Sequence, residues 1–75
     1  MAATVNLDAL AYGQRLKVLR IAGGLKQQDI ARAAGLHQSA VSRVERLQAL
    51  PDGGFALEAA RKVERVLTGA EGGAE

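Results

Sequence analysis

The chain has no cysteine and a single histidine, His37. Disulfides are therefore excluded, and so is a zinc site built from cysteine and histidine, which removes the zinc finger as a device for holding DNA. No uninterrupted apolar run approaches the ~20 residues needed to cross a bilayer. The opening MAATVNLDALAYG also lacks a basic segment followed by an apolar core. These absences predict a cytosolic protein without a membrane partner. Catalytic constellations are missing too. Ser39 and Ser42 stand outside any nucleophile-elbow sequence, and no nucleophile with an orienting acid is predicted near His37. The expectation is a non-enzyme that needs no cofactor and no metal.

What is present starts with charge. The 75 residues make one small domain, of a size whose core hides only ~60% of the surface that the unfolded chain exposes. A net charge of +2 is too small to name a partner, but it is unevenly placed. Residues 1–46 carry seven cations (Arg15, Lys17, Arg20, Lys26, Arg32, Arg43 and Arg46) against three carboxylates, a net +4. The remainder carries three cations against five carboxylates, a net −2. A positive half is the footprint of a surface that faces nucleic acid, although solvated mixed-charge surfaces show such imbalances as well.

That positive half contains the run from Gln27 to Arg46, QQDIARAAGLHQSAVSRVER. Ile30, Ala31, Ala34, Leu36, Val41 and Val44 recur at the three-and-four spacing of helices, and the phase resets once, at Gly35. Two helices are implied. Gly35 suits the position just past a helix C-terminus, where positive φ is required and a side chain would cost about 1 kcal/mol. Ala31, one turn earlier, is small enough for a second helix to cross closely over it, with Val41 as its partner. Projected at about 100° per residue, Gln38, Ser39, Ser42, Arg43 and Arg46 share an arc of about 140°, while Ala40, Val41 and Val44 take the opposite side. An amide, two hydroxyls and two guanidiniums are groups that read base edges and phosphates in a major groove about 12 Å wide. Glu45 falls at the boundary between the faces, where it suits a cation inside the domain better than DNA. Apolar spacing alone fits a plain helical hairpin equally well.

The flanks are also helical. Leu7 to Ala22 reads as a first helix capped by Asn6, with Tyr12, Leu16 and Leu19 on one stripe and Leu7, Leu10, Val18 and Ile21 on a second. The second stripe is either buried or lent to another chain. Gly13 inside this helix costs about 1 kcal/mol relative to alanine, and Gly23 with Gly24 ends it. Beyond the motif, Pro51 and Asp52-Gly53-Gly54 interrupt the chain before a last helix from Phe55 to Thr68. Its apolar arc takes Phe55, Ala56, Ala59, Ala60, Val63, Val66 and Leu67, and leaves Leu57 beside Glu64. The organisation expected is a flexible N-terminus at 1–6, a helical domain at 7–68 with helices near 7–22, 27–34, 38–47 and 55–68, and a disordered acidic tail at 69–75.

From Leu16 to Glu45, LKVLRIAGGLKQQDIARAAGLHQSAVSRVE, the chain resembles the helix-turn-helix of the phage-repressor and Cro family, often called Xre-like. Leu19, Arg20, Gly24, Leu25, Gln27, Ala31, Gly35 and Glu45 carry the likeness, which is strong over this stretch and looser over the flanks. It implies an all-α, lambda-repressor-like bundle of four or five helices. It also implies roles. Gln27 bonds a backbone phosphate and braces Gln38, while Gln38, Ser39, Ser42 and Arg43 meet base edges or flanking phosphates. Arg20 pairs with Glu45 in a structural ion pair. Lys26 departs from the Ser or Thr that the family places before helix 2, and reaches for a phosphate instead. His37 and Arg46 are phosphate-proximal candidates, and Arg46 serves equally well as a solvated cation at a helix end.

The function so implied is a sequence-specific, double-stranded DNA-binding transcriptional regulator. The expected form is a cytoplasmic, nucleoid-associated dimeric repressor that inserts helix 38–47 into the major groove of a palindromic operator and is open to a protein co-regulator. The homodimer expectation comes from the few base pairs that one recognition helix covers. Phe55, Leu57 and Val66 are its candidate interface, and the second stripe of helix 1 is the rival. Two other readings stay open. One is an antitoxin-like or adaptor module that holds a protein through Leu7, Leu10, Val18 and Ile21, and the other is a sequence-indifferent nucleic-acid binder.

Overall fold

One small set of apolar side chains serves all four helices among the described residues. The computed structural model describes residues 9–69, which hold α1 (Tyr12–Ala22), α2 (Gln27–Ala34), α3 (Gln38–Glu45) and α4 (Gly54–Thr68), with no strand among them. The chain is therefore an all-α bundle of four helices. The predictions for 1–6, for Asn6 and Leu7, and for the tail at 70–75 lie outside the described residues. Tyr12 and Leu16 from α1, Ile30 and Ala31 from α2, Val41 and Val44 from α3, and Ala59, Ala60 and Val63 from α4 make the core. Leu36, Leu47, Val66 and Leu67 close its edges.

Two corners set the relative angles of the first three helices. After α2, Gly35 adopts φ 71°, the left-handed conformation that a side chain resists. The Leu36 N–H then donates to Ala31 O at 2.8 Å and the Gly35 N–H to Arg32 O at 3.3 Å, the paired bonds of a Schellman cap. Leu36 drops into the core edge behind them. The α1–α2 corner repeats the scheme, with Leu25 N–H on Arg20 O at 3.1 Å and Gly24 N–H on Ile21 O at 2.9 Å.

The start of α1 differs from the expectation. It lies at Tyr12, with Ala11 extended as the cap, so the helix expected from residue 7 does not run unbroken through Ala11. An alanine offers no side-chain acceptor to the orphan donors of a first turn. Carbonyls from the far side of the motif satisfy them: Tyr12 N–H donates to Gln48 O at 3.2 Å and Gly13 N–H to Leu47 O at 2.9 Å. Gln14 Oε1 accepts the Ala11 N–H at 3.3 Å. The same contacts explain why α3 stops at Glu45, short of the expected residue 47, since the carbonyls that follow are turned toward α1. Gly13 permits the approach. A Cβ there would sit 2.4 Å from Val44 O and 2.6 Å from Glu45 O, so what reads as a helix weakness is a backbone-to-backbone contact.

Two large side chains from the apolar stripes stay open to solvent. Leu19 is 37% exposed, at the rim of a depression it shares with Tyr12, Arg15 and Glu64. Phe55 is 62% exposed, because α4 begins one residue early, at Gly54, and its first turn overhangs the edge of the bundle. The small side chains of Ala40 and Ala59 leave an apolar cavity beside the ring, which Val44 and Leu47 also line.

Candidate nucleic-acid interface

The faces of α3 divide by chemistry. Ala40, Val41, Val44 and Glu45 are buried, whereas Gln38, Ser39, Arg43 and Arg46 are exposed and Ser42 is half-buried. Burial of the apolar side fixes which way the polar side points. Five polar side chains, two of them hydroxyls, thus form a continuous outward strip along α3 and its C-cap Arg46.

Glu45 is the exception beneath that strip, and its surroundings neutralise it. Arg20 Nε donates to Glu45 Oε2 at 2.6 Å and Arg20 Nη2 to Oε1 at 3.3 Å, with side chains only 11% and 4% exposed. Gln27 Nε2 adds a third bond to Oε1 at 2.9 Å. A buried carboxylate without partners would be strongly unfavourable, and three donors remove that penalty. Every guanidinium nitrogen makes a bond, since Nη1 donates to Leu25 O at 2.9 Å. Arg20 therefore joins α1 to α3 and also locks the α1–α2 corner.

The network reaches the outward strip through Gln27. Its Oε1 accepts Gln38 Nε2 at 3.4 Å, so Arg20, Glu45, Gln27 and Gln38 form one chain of bonds from inside the bundle to the first residue of α3. Both ends of the Gln27 amide are occupied. One of its two amide hydrogens remains for an outside acceptor.

Ser42, Arg43 and Arg46 follow along the strip. Arg46 Nη2 donates to Ser42 Oγ at 2.8 Å, which ties the two together one turn apart and leaves the rest of the guanidinium outward. Lys26 and His37 are the N-cap residues of α2 and α3, both exposed and neither making a side-chain cap bond. Asp29 supplies the reciprocal half of a capping box at α2, taking the Lys26 N–H on Oδ2 at 2.8 Å. Phe55, at the start of α4, borders this strip and lines a depression together with His37, Ser39 and Arg43, whereas Leu57 and Val66 are half-buried further along α4.

Some of these contacts have a signal in the sequence and others have none. The N-cap-to-third-residue spacing of Lys26 and Asp29 is that of a capping pair, and Ser42 with Arg46 has the i,i+4 spacing of helix neighbours. Nothing local marks Gly13 or the bond from Gln27 to Glu45. Both depend on how distant segments meet.

A family model described as a helix-turn-helix domain matches residues 11–71. No curated protein and no solved structure matches the chain. No helix among the described residues is long and apolar enough to cross a membrane.

Proposed function

The chain belongs to this helix-turn-helix domain family, of the Xre/Cro-like superfamily, and from that premise we propose that it is a sequence-specific DNA-binding regulator. It acts as a dimeric repressor that lays α3 in the major groove of a palindromic operator. One observation carries the reading: α3 buries its apolar side and offers Gln38, Ser39, Ser42, Arg43 and Arg46 on the other. Gln38, Ser39, Ser42 and Arg43 read base edges, where a well-placed bidentate pair gives about 1–3 kcal/mol of discrimination. The remaining Gln27 amide hydrogen, Lys26, His37 and Arg46 hold backbone phosphates, which position the helix without carrying sequence information. Action is by binding alone, in the cytoplasm and on the nucleoid, without cofactor or catalysis.

Two copies are needed, since a single recognition helix spans too few base pairs to single out a site among the ~10⁶ or more competitors of a genome. A twofold dimer spaces the two helices by one turn of DNA, about 34 Å. Phe55 supports an interface on α4: it is exposed at the mouth of an apolar cavity of about 100 Å³ lined with Ala40, Val44, Leu47 and Ala59. Leu57 and Val66 extend the same helix.

Selection of bound sequences from a random library tests the reading. A palindrome preferred by about a thousandfold over random duplex is expected, and equal affinity for all duplexes leaves only a sequence-indifferent binder. Arg43→Ala then weakens the selected site by about 1–3 kcal/mol. The adaptor reading draws on Ile21, 57% exposed on the outer side of α1, and it predicts that serine at Val18 and Ile21 abolishes capture of a protein co-regulator without touching DNA selection.

A further inference from the structure

Between the outer side of α1 and the end of α3 lies an open depression of about 340 Å³, lined by Gln14 and Lys17 from one and by Glu45, Arg46 and Gln48 from the other. Gln14 and Lys17 are three residues apart and share a helix face. Among the described residues Glu45 is the only carboxylate in the lining, and its charge is already met by Arg20 and Gln27. Lys17 and Arg46 are both exposed, and neither forms an ion pair among the described residues. Two cations therefore share one concavity with no free acid among the described residues to balance them. Such a concavity concentrates positive potential and attracts an anion. Arg46 also belongs to the outward strip of α3, held there by its bond to Ser42, so whatever α3 engages brings its edge to this depression.

We infer that the depression seats a DNA backbone phosphate between Lys17 and Arg46, with the amides of Gln14 and Gln48 beside it. The inference rests on the DNA-binding reading and adds α1 to the contact surface. Phosphate held at this end of α3 complements phosphate held by α2 at the other, and together they set the tilt of the helix in the groove. The site carries no base preference, because a phosphate diester is the same at every step of the duplex.

Salt dependence of binding to the selected duplex is the measurement, made on the wild type, Lys17→Gln and Lys17→Arg. Each neutralised phosphate contributes about 0.9 to the slope of log affinity against log salt, so a fourfold rise in salt costs Lys17→Gln about 3.5-fold less affinity than the wild type. Its preference for selected over random duplex stays the same, its thermal unfolding matches the wild type, and Lys17→Arg restores the slope. An unchanged slope in Lys17→Gln overturns the inference and leaves the regulator intact. Failure of the wild type to prefer any duplex overturns the regulator reading and this one with it. Stabilisation of the wild type by inorganic phosphate that Lys17→Gln loses, with the slope unchanged, assigns the depression to a free anion and overturns the DNA contact.

Discussion

The two ends of α3 are held in opposite ways. At the C-terminal end Glu45 is buried under three donors, and the Leu47 and Gln48 carbonyls just beyond it accept the opening amides of α1. At the N-terminal end Gln38 is exposed, His37 makes no side-chain cap, and the one side-chain bond, to Gln27, is 3.4 Å long. A bond of that length is weak and easily exchanged for a better acceptor. A helix seated firmly at one end and loosely dressed at the other has a fixed position and adaptable contacts, the combination that a reading element needs. Among the described residues Gln27 alone has a side chain bonded to both ends, so it transmits the firmness of one to the other.

The contrast breaks most visibly at the firm end. Glu45→Ala leaves the Arg20 guanidinium nearly buried without its counter-charge, and a loss of about 3–5 kcal/mol is expected in urea unfolding; a loss below about 1 kcal/mol would make the two ends equivalent. Gly13→Ala is next, and its sign is diagnostic. Helix propensity alone predicts a gain of about 1 kcal/mol, whereas collision with the Val44 and Glu45 carbonyls predicts a loss of about 1–3 kcal/mol. A thermal melt decides between them.

The loose end should respond in the reverse sense. Gln38→Ala is expected to shift stability by no more than about 0.5 kcal/mol while it relaxes base preference in the library selection, and a large stability loss would erase the distinction. The smallest effect sharpens the firm end through Tyr12, whose amide is part of the clamp. Burial, followed by the nearby Glu64 charge, raises its phenol above the ordinary 10.0. The folded state then holds this proton more tightly than the unfolded one, so the associated stability is complete below about pH 10 and is lost as pH rises through the folded value. Urea unfolding at about pH 9 and pH 11 should therefore show a steeper loss for the wild type than for Tyr12→Phe.

What was legible in the sequence follows the same division between local and distant causes. The span of α2, its glycine stop at Gly35 and the buried underside of α3 come from helical periodicity and turn chemistry, which a few neighbouring residues encode. The beginning of α1 was not legible, because its acceptors are Leu47 and Gln48, far along the chain. The extent of Phe55's exposure is only partly legible, for a related reason. Periodicity places it on the apolar arc of α4, but only the packed bundle reveals that the arc outruns the core by one turn. The bonds at Lys26, Gln27 and Ser42 were partly legible, since spacing names candidate partners without saying which donor a side chain will choose. Gln27 was expected on a phosphate and braced against Gln38, and its stronger bond turns inward to Glu45.

The carbonyls of Leu47 and Gln48 carry one more consequence, for the lengths that this chain tolerates. The segment that follows α3 has the composition of a disposable connection, yet its first residues are acceptors at fixed places. One residue inserted between Glu45 and Gln48 would misplace both and open the first turn of a helix at the other end of the sequence. An insertion at Asp52 or Gly53, where no such bond ties the backbone, would be absorbed as a longer loop. Within a single connection, the first half is a ruler and the second is slack.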